Sequence, residues 1–216
     1  MPYLNFHTHC PPAPDECTPP SFGLHPWYLP SADRLVYELE ALERQLLRSA
    51  ADAPMPDDEP PLSPDHASAI PCRPFVGECG LDRLCATPYD LQLAAFDAQI
   101  RLSERLARPL VIHCVRAIDD VLRLHRGVRQ PWILHGFRGK PQQLRQLLDN
   151  GLYISFGLRF NAESLRQCPP QRLFLETDDT PSPIATLYEQ AAALLGTTPT
   201  ALNRQCWSNL RLLQNA

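Results

Sequence analysis

Lysine is nearly missing from this chain. Lys140 is its only one, and arginine supplies the rest of the basic charge. With a net charge of −4 and a pI near 6.0, the protein lacks the basic coat of one dedicated to covering nucleic acid. No apolar run is long enough to cross a bilayer, which excludes a spanning helix. The opening MPYLNFHTHC has no basic stretch followed by an apolar one, so no signal peptide is expected and the cytoplasm is the expected compartment. None of the eight cysteines forms a CxxC pair, and their irregular spacing predicts free thiols, not a disulfide framework. Cys10, Cys79 and Cys114 are expected to be small packing residues. No G-x-G-x-x-G or P-loop follows any strand candidate, so neither standard nucleotide-cofactor signature is present.

What the chain does have is a rhythm. Its 216 residues, 44% hydrophobic and 20% charged, predict one soluble domain with a large core. Short apolar runs recur at 3–6, 22–24, 75–77, 110–112, 132–134, 152–156 and 173–175. Helical patterns separate them. Leu35, Leu39, Leu42 and Leu46 form one stripe over 33–49. A helix over 88–107 is expected to start with Thr87 as N-cap and Pro88 in its first turn. Further helices are expected over 141–150, 183–195 and 200–213, the first two ending at Gly151 and Gly196. Alternating strands and helices predict a parallel sheet. About seven strands point to an α/β TIM-like (β/α) barrel, truncated or distorted near its N-terminus, with a doubly wound sheet as the alternative. Two stretches break the rhythm. PPAPDECTPP (11–20) stands where a helix would follow the first strand. Residues 52–74, rich in proline and acid, are expected to form a loop insertion within the single domain 1–216, with His66 solvated in it.

The chemistry sits where the apolar runs stop. The first ends in His7 and His9, which share a face because strand side chains alternate. Others end in Glu78, His113 and His135, and the last in Glu176 and Asp178. Each residue alone could be a satisfied polar group. Five strands ending alike at their C-terminal ends, the face where barrels of this kind place their sites, point to a metal centre. Four imidazoles and two carboxylates suffice for two divalent ions sharing a carboxylate. A carboxylated lysine could bridge such ions, but Lys140 lies in a loop, so Glu78 is the natural bridge. Glu176 lies one step deeper than Asp178 and is expected to support a ligand histidine by hydrogen bonding. His25 ends the second run, and Arg116 and Arg138 lie near the mouth; these three are the candidates for substrate contact. Asp179 is expected to face away.

The motifs FHTHC, FGLHPWYL, VGECGLD, PLVIHCVRA, ILHGFRG and FLETDD stand in that order. Together they resemble the TatD family of metal-dependent hydrolases. The resemblance implies one metal site formed by His7, His9, Glu78 and Asp178, and another by Glu78, His113 and His135. It also implies Asp178 as general base, two Mg, Mn or Zn ions, and hydrolysis of DNA ends or a small phosphoester, with a monomer expected. The chain departs from the pattern at Cys114, Val115 and Arg116, where the family has Ser-Arg-Asp, and at Arg138, where it has Ser or Thr. These departures leave a hydrolase of a small ester, amide or lactone as the alternative. A non-catalytic metal-bound scaffold presenting the Pro-rich insertion is a third reading.

Overall fold

The computed structural model describes residues 1–48 and 72–215. Most of the expected insertion over 52–74, including His66, lies outside the described residues. Within them are eight strands, not seven: β1 (Tyr3–Leu4), β2 (Glu16–Cys17), β3 (Ser21–Phe22), β4 (Phe75–Asp82), β5 (Leu110–Val115), β6 (Trp132–Leu134), β7 (Tyr153–Phe156) and β8 (Leu173–Leu175). Strands β3 to β8 form one parallel sheet in sequence order, and β1 pairs in parallel with β2. The two sheets meet where the chain beyond β1 runs beside the chain beyond β8. Phe6 N–H donates to Leu175 O, Asp178 N–H to His7 O and His9 N–H to Asp178 O, at 2.9, 3.0 and 2.9 Å. The strands thus follow the circular order of a (β/α) barrel, open between β2 and β3.

The opening follows from the sequence. PPAPDECTPP contains a strand that no apolar run announces: Glu16 and Cys17 pair with Tyr3 and Leu4. Its five prolines exclude a helix on either side of that strand, because proline has no amide donor. The chain therefore passes from β2 to β3 through residues 18–20 alone. Buried side chains compensate. Glu16 accepts from the Ile184 amide at 2.9 Å, satisfying an orphan donor at the start of α6 (Ile184–Leu195). Gln99 of α2 (Tyr89–Leu106) brackets Leu24, accepting from its N–H at 2.7 Å and donating to its C=O at 3.1 Å. Asn203 of α7 (Pro199–Gln214) accepts from the Leu4 amide at 2.9 Å and donates to Pro2 O at 2.9 Å, clamping β1.

The helices cover the sheet. In α1 (Leu35–Arg48), Leu35, Leu42 and Leu46 are buried, with Leu39 half-buried. Thr87 is not the cap of α2: Pro88 takes the N-cap position, with no side-chain cap. α3 (Ile118–Leu124), α4 (Pro141–Asp149) and α5 (Ala162–Gln167) complete the set, and Gly196 ends α6 in the left-handed conformation. Among the described residues no helix is long and apolar enough to cross a membrane. The barrel interior is closed by stacked rings, with Phe6 on Phe174 at 4.4 Å and near Phe75 at 5.7 Å.

Strands β4 and β5 run further than the apolar runs suggest, so Glu78 and His113 lie inside strands, not at their ends. Gly80 makes this possible. Its φ of 137° suits glycine, and a Cβ there would stand 2.1 Å from His113 O. The two strands can approach closely enough to bring Glu78 and His113 together only without a side chain at that point.

Candidate metal centre

Glu78 is buried and touches imidazoles from five histidines. Its Oε1 contacts His7 Nε2 and lies 2.9 Å from His9 Nε2. Its Oε2 lies 2.9 Å from His135 Nε2, 3.4 Å from His25 Nε2 and 3.8 Å from His113 Nδ1. Burial alone would raise the Glu78 pKa, but contacts from His135, His25 and His7 outweigh it and hold the carboxyl well below the usual range. Asp178 approaches from the far side, with Oδ1 at 3.7 Å from His9 Nε2. Its φ of 54° is in the left-handed region, which Asp tolerates better than most residues. Three bonds hold it there: its amide to His7 O, and its carbonyl to His9 N–H and Thr8 Oγ1.

The donor atoms fall into two groups, His7, Glu78, His135 and Asp178 in one, and His25, Glu78 and His113 in the other. This division differs from the one the resemblance implies. His135 joins the His7 group because Glu176 aims it there. His25 completes the second group, while His9 stands outside both with 59% of its side chain exposed. Glu78 belongs to both groups. The residues suit a divalent cation on two grounds. The donor set is imidazole and carboxylate. Moreover His7 Nε2, His135 Nε2 and Glu78 Oε1 are buried close together yet make no well-formed hydrogen bond, a costly arrangement that a cation relieves.

Two carboxylates orient the imidazoles from behind. Glu176, fully buried, accepts from the Gly136 amide at 2.6 Å and faces His135 Nδ1 at 3.2 Å, which turns Nε2 toward Glu78. Burial opposes ionisation of both, but their mutual attraction prevails: the Glu176 pKa falls and the His135 pKa rises well above normal. Asp82 does the same for His113, Oδ2 facing Nε2 at 3.3 Å. Burial and the neighbouring His135 and His25 hold the His113 pKa down at about 4, against the pull of Asp82, so the neutral ring keeps one nitrogen lone pair for a ligand. Asp82 was not singled out in the sequence, although it closes the VGECGLD motif four residues after Glu78, on the same strand face.

The cluster opens onto two hollows of about 720 and 780 Å³ that share Trp27, His113, His135, Asp178 and Asp179. Arg116 and Arg138 line the first, with Arg159, which the sequence reading passed over. Cys114 lines it too, half-buried, while Cys79 is fully buried. Asp179 does not simply face away: it is exposed and lines both hollows. Lys140 stands at the start of α4, outside the cluster. None of the eight cysteines forms a disulfide.

Fold and site together define a class, parallel α/β barrels that carry a histidine–carboxylate cluster at one end. A family model described as TatD related DNase matches residues 15–215, and the chain belongs to that family. It is 37% identical over 147 residues to the 3′-5′ ssDNA/RNA exonuclease TatD of Klebsiella pneumoniae (strain 342), covering 57% of this chain and 54% of that one. To the protein of the same description from Erwinia billingiae (strain Eb661) it is 32% identical over 173 residues, 64% of each. The chain thus spans about half to two thirds of the length of these relatives. Among solved structures, YjjV, a TatD homologue from Escherichia coli K12, superposes with a TM-score of 0.69 at 23% identity, covering 94% of this chain and 78% of the other. A TatD family hydrolase from Entamoeba histolytica gives 0.67 at 16% identity, covering 92% and 74%.

Proposed function

We propose that the protein is a divalent-metal-dependent phosphodiesterase that shortens single-stranded nucleic acid from its 3′ end. The observation that carries this reading is one buried carboxylate, Glu78, shared by two groups of imidazoles. Two ions, Mg, Mn or Zn, would be held by His7, His135, Asp178 and Glu78, and by His25, His113 and Glu78, with His9 beside the first group, its Nε2 2.9 Å from Glu78 Oε1. Bound there, they would supply the positive charge that activates water and draws charge from the scissile phosphate. The remaining work belongs to the chain. Asp178 is half-buried, and burial raises its pKa, so it can accept a proton from the attacking water. Arg116 and Arg138 would receive the phosphate oxygens from their wall of the cleft. The substrate direction is supported by the relatives' described activity.

The test is end-labelled single-stranded DNA or RNA with Mg²⁺ or Mn²⁺. A one-nucleotide ladder from the 3′ end is expected, absent in Glu78→Ala and slowed about 10²- to 10⁴-fold in Asp178→Asn. Unchanged turnover in both variants would overturn the assignment of the site. A metal-loaded protein that leaves both strands intact would move the substrate to a small ester, amide or lactone.

A further inference from the structure

We propose that Trp27 is a stacking platform for the base at the substrate's end, and that it makes the site select unpaired ends. The inference rests on the reading above and adds the residue that recognises the base.

Three observations meet at this side chain. First, it is open. Trp27 is 51% exposed and its neighbour Tyr28 is 79% exposed, whereas Trp132 and Trp207 are buried to 1%. Both exposed rings sit on the 3₁₀ turn Pro26–Tyr28, which directly follows His25. Second, it is held still. The indole N–H donates to Asp82 Oδ2 at 2.6 Å. The ring stands nearly perpendicular to those of His25 and His113, with centroids 5.0 and 5.5 Å away. An aromatic face fixed before binding loses little freedom when a ligand stacks on it. Third, it is in the right place. Trp27 lines both hollows beside the cluster and shares the first with Arg116, Arg138 and Arg159, exposed arginines that make no ion pair among the described residues.

A planar, apolar face beside unpaired cations is the arrangement that binds single-stranded nucleic acid: bases stack on the ring while phosphates meet the arginines. A terminal base within a duplex is already stacked and paired, and must give up both to reach the indole. The platform therefore favours single strands by geometry, with no base-specific hydrogen bond.

Binding and turnover test this separately. In the Mg²⁺-loaded Asp178→Asn protein, where turnover is slowed, an oligonucleotide with a normal 3′ nucleotide should quench the fluorescence of Trp27, the one half-exposed tryptophan. The same oligonucleotide with an abasic 3′ end should quench it far less. In the otherwise unmodified enzyme, Trp27→Ala should lower the ratio of kcat/KM for the normal end over the abasic end by about fivefold to a hundredfold, the range of base–aromatic stacking. Trp27→Phe, which keeps an aromatic face, should restore most of that ratio. Equal quenching by both ends, or an equal loss of kcat/KM on both in Trp27→Ala, overturns the platform. Hydrolysis with an unchanged ratio does the same while leaving the proposed activity intact. Quenching without hydrolysis overturns the activity and keeps the platform.

Discussion

Asp82 uses one oxygen, Oδ2, for two neighbours, the indole of Trp27 at 2.6 Å and His113 Nε2 at 3.3 Å, while Oδ1 accepts from the Leu84 amide at 2.7 Å. Gln92 fixes the Asp82 backbone on both sides, donating to its C=O and accepting from its N–H. Removing the carboxylate would free the ring of His113 without disturbing the strand. Asp82→Ala should therefore weaken metal affinity about 10- to 100-fold while the far-ultraviolet spectrum stays unchanged, as expected when a carboxylate behind a ligand histidine is lost. Metal titration followed by calorimetry measures it, and an unaltered affinity would show that His113 needs no such support. The same anisotropy seen for Trp27 in both proteins would argue that the indole is held by packing alone.

At the scale of elements, α3 is fastened to the loop after β4 by Asp120. Its Oδ2 accepts from Tyr89 at 2.6 Å and pairs with Arg83, and its Oδ1 accepts from Arg123 at 2.9 Å. The Tyr89 hydroxyl, then Arg123 and Arg83, lower the Asp120 pKa to about 2. A carboxylate whose pKa is depressed by folding stabilises the native state above the unfolded value and loses that effect as pH falls through the folded one. The melting temperature of the wild type should exceed that of Asp120→Asn near neutrality, and the gap should close between about pH 4 and pH 2. A gap that does not change over that interval would mean these contacts add nothing. Which elements the sequence revealed follows from their length. The apolar runs of β4, β5, β6 and β8, each followed by its His or acid, were legible because an apolar run stops where the chain meets the site, and β7 was legible as an apolar run alone. β2 was not, since two residues between prolines have no run to show. α3 and α5, of seven and six residues, are too short for a periodic stripe. The extension of β4 to Asp82 depends on the closeness of its neighbour at Gly80, which belongs to the pair of strands and not to either one.

For the whole molecule, the histidines and carboxylates of the cluster and their common end of the barrel could be read from the chain, but not which histidine stands beside which. That depends on how the strands are staggered around an incomplete barrel, where β1 joins β8 through Thr8 and Asp178 and the helices around β2 are missing. The stagger moves His135 toward His7 and brings His25 to within 4.5 Å of His113, ring centre to ring centre. One consequence follows from Glu78 facing both groups. Two guests sharing one negative charge cannot bind independently: whatever the first arrival does to the second, the second does equally to the first. Loading with Mn²⁺ should therefore proceed as two resolved calorimetric events of unequal affinity, not as one event of double stoichiometry. Replacing Glu78 with Gln should abolish the weaker event and soften the stronger. On this view the weaker event alone sets the free metal concentration at which the pair is complete, and a protein holding a single ion is populated over a wide span below it.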